Sequence, residues 1–226
     1  MIPERDKHYV EKIPSCPICN DAGGRLIEKD GHRYWSNRCE CQPKRYHGQV
    51  WAYIYNRLPD RLKSVPNNMD DSFKLSDEQL KVYEQLDKGA WIHGVTGLGK
   101  STIVLEKVRQ ILRNEPEKFL KVRYITGEQL EKLINEQYDN YQYKEELENM
   151  NSLDMVIFDD IDKVGIMTEH KAYKIFNLMS NKIDCIKYVF ITGNVAMLDF
   201  CKSLKLGSLI DPLYGRFMDK VTEYKL

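Results

Sequence analysis

The stretch "GVTGLGKS", from Gly94 to Ser101, constrains this chain more than any other. It lies between a short apolar run, "AWIH", and a helix-forming run, "GKSTIVLEKVRQILRN". A glycine-rich turn in that position aims successive backbone N–H groups at one point, and the helix N-terminus adds positive potential there. Such a place suits phosphate. Gly94, Val95, Thr96, Gly97, Leu98 and Gly99 make the turn, Lys100 brings an ammonium to the β- and γ-phosphates, and Ser101 offers a hydroxyl to Mg²⁺, with Thr102 next in the helix. In this context the spacing is that of a Walker A loop, and it implies ATP or ADP as cofactor.

Strands and helices alternate from Ala90 onward. "AWIH", "LKVRYIT", "LDMVIFD", "KYVFITG" and "KVTEYKL" read as five strands, with amphipathic helices between them. The fold class is therefore α/β, with a parallel, helix-covered sheet. "MVIFDDID" follows the Walker A loop at a distance that makes it a Walker B strand. Asp159, at its carboxyl end, is a second holder of Mg²⁺. Asp160 stands where an acid polarises the attacking water. It is one methylene shorter than the usual Glu, so hydrolysis is expected to be slow or partner-dependent. Asp162 reads as a helix cap or a surface acid. The next buried strand ends in Thr192, Gly193 and Asn194, and Asn194 is placed to orient water or sense the γ-phosphate; Gly-Asn also suits a plain strand-ending turn.

Charge gives no global field, since 34 basic residues balance 34 acidic ones. No apolar run reaches the roughly 18 residues that span a bilayer, and "MIPERDKHYVEK" has no apolar signal core, so the expectation is a cytoplasmic protein without membrane contact. Of six cysteines, Cys16, Cys19, Cys39 and Cys41 crowd the front in "CPIC" and "CEC". Close pairs of this kind are metal ligands more often than disulfides. Residues 1–48 are expected to form a small zinc-binding module with a hairpin between the pairs, in which His32 or His47 could replace one thiolate. Its Arg33, Arg38, Lys44, Arg45, Tyr34, Trp35 and Tyr46 suit single-stranded DNA, protein docking, or simply a small core. Residues 49–86 read as a linker and lead-in helix opened by a capping box of Ser76 and Gln79, and 87–226 as the nucleotide-binding core. Cys185 and Cys201 read as buried small hydrophobes.

The order "GVTGLGKST", "VIFDDID", "ITGN" and then an arginine before a last strand resembles the AAA+ ATPases. Within them it is most similar to DnaC/DnaI-type helicase loaders and their IstB-like relatives, from Leu86 to the end, and the front "CPICNDAGG" and "CECQ" resemble loader N-termini. The resemblance implies an AAA+ P-loop core with a five-stranded parallel sheet and no C-terminal lid. It makes Arg216 in "YGRF" an arginine finger acting in trans, so that a homo-oligomer completes each site; a surface arginine at a helix end is the alternative. It also implies a slow ATPase, stimulated by assembly or DNA, that loads a replicative hexameric helicase onto single-stranded DNA, the zinc module docking the helicase. DNA contact would involve the segment holding Lys132, Tyr138, Tyr141, Tyr143 and Lys144, although its glutamates repel phosphate. An IstB-like transposition helper and a nucleotide-gated adaptor with little hydrolysis are the alternatives.

Overall fold

Runs with no polar face, such as "MVIFD" and "YVFITG", need cover on both sides, and that requirement organises the larger part of the molecule. The computed structural model describes residues 25–29, 32–36, 41–67, 71, 73–115, 120–136, 141–165, 168–182 and 186–226. They fall into two compact units, Met1–Phe73 with Val108–Phe119, and Lys74–Lys107 with Leu120–Leu226.

In the first unit, β1 (Arg25–Lys29) and β2 (His32–Ser36) form an antiparallel hairpin, with Ile27 opposite Tyr34. It stands between the two cysteine pairs, where the spacing places one. Next comes α1 (Cys41–Arg57). The expected boundary at residue 48 cuts through this helix, and the expected boundary at 86 lies beyond Phe73, where the unit ends. The reason is a stripe at helical spacing: His47, Val50, Trp51, Ile54 and Leu58 are all buried. His47 bonds through Nδ1 to the Leu112 carbonyl at 2.9 Å, and the Trp51 indole N–H donates to Pro66 O at 3.1 Å. Cys16, Cys19 and Cys39 lie outside the described residues, as do the side chains of Cys41 and His32, and Cys185.

The second unit opens with α2 (Asp77–Gln85). The Ser76 hydroxyl accepts from the Gln79 N–H, and the Gln79 side chain accepts from the Ser76 N–H, the capping box the sequence announces. The sheet comprises β3 (Gly89–His93), β4 (Val122–Thr126), β5 (Met155–Asp159), β6 (Tyr188–Gly193) and β7 (Thr222–Lys225). All pairs are parallel, in the spatial order β4-β5-β6-β3-β7. The helices are α3 (Lys100–Asn114), which crosses into the residues of the first unit, α4 (Gly127–Glu136), α5 (Tyr141–Glu148), α6 (Glu169–Lys182), α7 (Met197–Ser203) and α8 (Ile210–Lys220). The five strands and the helices between them agree with the sequence reading. Within the sheet, its first strand in chain order, β3, sits between its fourth and fifth, β6 and β7, which no local pattern reveals.

Trp91 anchors the core. It is fully buried on β3, meets Phe200 of α7 at 5.4 Å and Phe217 of α8 edge-on at 5.5 Å, and donates its indole N–H to Val195 O. Cys201 on α7 is buried beside this group, and burial pushes its thiol up to about 12. The unfolded chain ionises this thiol near the ordinary 9.0, so stability falls as pH rises from about 9 towards 12. Iodoacetamide at pH 8 should leave Cys201 unmodified in the native protein and alkylate it in denaturant, as peptide mass mapping will show; native alkylation would contradict this burial.

Candidate functional site

Three strands of a parallel sheet end on the same edge, and their carboxyl ends deliver the motif residues to one place. β3 leads into the loop Gly94–Gly99. β5 ends in Asp159, and β6 ends just before Asn194. Gly94, Gly97 and Gly99 take φ of 145°, 94° and 83°, which side-chain-bearing residues rarely adopt. Val95, Thr96 and Leu98 are exposed, and Lys100 is buried with its ammonium folded over the loop. Lys100 donates to Gly94 O at 2.8 Å, Val95 O at 2.9 Å and Asn194 Oδ1 at 3.3 Å. Thr96 donates to the same Asn194 oxygen at 3.2 Å. Ser101 and Thr102 follow in the first turn of α3, half-buried.

Asp159 is 1 % exposed, and an unpartnered carboxylate at that depth would be costly. Hydroxyl donors from three separate elements satisfy it: Ser101 at 2.5 Å and Thr192 at 2.7 Å to Oδ1, and Tyr124 at 2.7 Å to Oδ2. The Ser101 hydroxyl and Asp159 carboxylate therefore share one position, as a Mg²⁺ site requires of an oxygen-ligand pair. Thr192 is used twice, since its oxygen also accepts the Asp160 N–H at 2.9 Å.

Asp160 is buried and held in the left-handed conformation, φ 51° and ψ 50°. Its carboxylate pairs with Lys163 at 2.7 Å, so the acid expected to polarise water has a cation beside it. Arg216 lies on the exposed side of α8, whose Leu213 and Phe217 enter the core. Tyr141 of α5 is 77 % exposed, and Lys144 pairs with Glu148 on the surface. Tyr138 and the side chain of Tyr143 lie outside the described residues.

Four contributors escape the sequence reading. Tyr124 carries no motif, and its role follows only from β4 lying beside β5. Thr192 reads only as a residue at the strand end, although its hydroxyl joins the two acids. Gln79 completes the capping box and also donates to Leu98 O at 2.9 Å; a Cβ on Gly99 would come within 2.1 Å of its Nε2. Asp162 corrects the cap or surface-acid reading: its carboxylate accepts both the backbone N–H of Asn194, at 3.0 Å, and its side-chain amide, at 2.8 Å. The third acid of "DDID" was the available signal.

Residues 72–204, more than half of the chain, match the family described as the bacterial DnaA ATPase domain. The chain belongs to that family. No curated protein matches it in sequence. Among solved structures, the DnaC helicase loader superposes with a TM-score of 0.54 at 12 % identity, over 74 % of this chain and 99 % of that one. DnaI gives 0.51 at 13 % identity, over 75 % and 91 %. The AMPPCP-bound DnaA of Aquifex aeolicus gives 0.46 at 16 %, over 68 % of this chain and 48 % of that one. The chain spans about half the length of the replication initiators it matches. The fold, α/β with a five-stranded parallel sheet, matches that of AAA+ P-loop domains.

Tyr124→Phe removes one donor from the buried Asp159 and should lower the unfolding free energy by about 1–2 kcal/mol in urea titration. Unchanged stability would show that the phenol adds nothing to holding the carboxylate.

Proposed function

We propose that this chain is an ATP-binding AAA+ protein that loads a replicative hexameric helicase onto single-stranded DNA during replication initiation. The observation that carries the nucleotide half is the convergence of Lys100, the Ser101–Asp159 pair and Asn194 on one edge of the sheet. Membership of a family named for an ATPase domain supports it, and a fold shared over 74 % of this chain with the DnaC helicase loader supports the loading half.

In this reading the loop Gly94–Gly99 and Lys100 hold the phosphates. Ser101 and Asp159 would hold Mg²⁺, which would supply neutralisation of the phosphate charge. Asp160 polarises water once it is parted from Lys163. The exposed Arg216 serves the nucleotide of a neighbouring copy, where a guanidinium offsets developing negative charge. Assembly would then complete the site. The exposed Tyr141 offers a base-stacking surface to single-stranded DNA. On cysteine spacing alone, zinc on Cys16, Cys19, Cys39 and Cys41 belongs to the same proposal, as the folding centre of a helicase-docking module.

A second reading is favoured by one observation. Lys163 at 2.7 Å from the Asp160 carboxylate lowers its availability as a base, which suits a nucleotide-gated adaptor with little turnover. Arrangement as an IstB-like transposition helper uses the same site and differs only in the partner.

Lys100→Ala should abolish binding of fluorescent ATP, while Arg216→Ala should bind ATP within about threefold of the parent but fail to assemble with ATP or stimulate turnover. Sedimentation with and without ATP, plus capture of a purified ring helicase against a purified transposase, measures both halves. Binding by Lys100→Ala removes the nucleotide site, and ATP-driven assembly of Arg216→Ala removes the finger. Metal analysis should find zinc in the native protein, and Cys16→Ser with Cys19→Ser should lose it.

A further inference from the structure

A carboxylate only accepts hydrogen bonds, and that fact settles which way the Asn194 amide faces. Asp162 Oδ2 stands 2.8 Å from Asn194 Nδ2, and Asp162 Oδ1 takes the backbone N–H of the same residue at 3.0 Å. One N–H of the amide NH₂ is thus committed to Asp162. Its oxygen, at the other end, receives Lys100 at 3.3 Å and Thr96 at 3.2 Å, both of which donate. A reversed amide would set NH₂ against an ammonium and leave an oxygen facing a carboxylate. The close approach is built into the chain: a Cβ on Gly193 would lie 3.0 Å from Asp162 Oδ1, tighter than most real contacts.

We infer that Asp162 is a positioning residue that fixes Asn194 with its amide oxygen towards the Walker A loop, so that the end of the amide turned to Lys100 and Thr96 is the acceptor. This rests on the nucleotide reading of the same site. An acceptor repels a bare phosphate oxygen. It holds instead a proton-bearing group: the Lys100 ammonium, the Thr96 hydroxyl, or a water molecule. The phosphates then compete with Asn194 for Lys100, and Asn194 is left to orient water.

The test uses the full chain as parent, Asp162→Asn and Asn194→Ala. Asp162→Asn keeps the shape and the bond to the Asn194 N–H, but offers an NH₂ of its own and so favours the reversed Asn194 amide. Two readouts apply. One is the Asn194 side-chain NH₂ resonance pair in nucleotide-free protein, identified by its loss in Asn194→Ala. The other is the ratio of mant-ATP to mant-ADP affinity with Mg²⁺. In Asp162→Asn the resonances should move, and the ratio should rise about tenfold, as one new hydrogen bond to a charged oxygen predicts. Unmoved resonances in Asp162→Asn overturn the inference, as does an unchanged ratio in a parent that binds both nucleotides. An equal loss of both nucleotides with a lowered melting temperature also overturns it, marking a merely structural carboxylate. If the parent binds neither nucleotide, the nucleotide reading is what fails, and the resonances alone decide the orientation.

Discussion

One buried carboxylate ties the site to the sheet. Asp159 has almost no exposure and must be compensated where it stands. Its compensation comes from Ser101 at the start of α3, Tyr124 on β4 and Thr192 on β6, each through a hydroxyl. Hydrogen bonds to a charged group contribute about 1.5–3 kcal/mol each, so the cluster offsets the cost of burial only when every donor is in place. It also aligns the ends of three neighbouring elements. The Walker A helix, the Walker B strand and the Asn-tipped strand are held in one relation by the same atoms that are proposed to hold Mg²⁺.

Around that centre lie two acids with different partners. Asp160 is turned into the left-handed region, where a residue other than glycine carries strain of about 1–3 kcal/mol, and its carboxylate meets Lys163. Asp162, two residues on, reaches the next strand and grips Asn194. Strain at such a point persists only when the surroundings hold it, and here the Asp160 N–H is held by the Thr192 hydroxyl at 2.9 Å. The short stretch "DDID" thus places one carboxylate in the proposed metal position, one against a lysine, and one behind an asparagine. The same residue type has three environments because the chain leaves a strand and turns at once.

The strongest motifs were legible in the sequence because their meaning is local. "GVTGLGKS" needs only a strand before it and a helix after it, and both periods are written in the flanking residues. The capping box of Ser76 and Gln79 lies within four residues and is present as read. By contrast, α1 was missed as a helix because its stripe starts within a segment rich in Cys, Gly and charged residues, and Trp51, Ile54 and Leu58 read as a connector there. Tyr124 and Thr192 had no chance of recognition from spacing. Their partner Asp159 is more than thirty residues away from each, and only the neighbouring strands bring them within 2.7 Å.

Sequence alone determined the α/β class, the five strands, the phosphate loop and the acids that follow it, since period and turn chemistry act over a few residues. Tertiary structure decided the strand order β4-β5-β6-β3-β7, and with it which hydroxyls surround Asp159 and which acid turns Asn194. Neighbour relations across a sheet are set by how whole strands pack, and no local pattern encodes them.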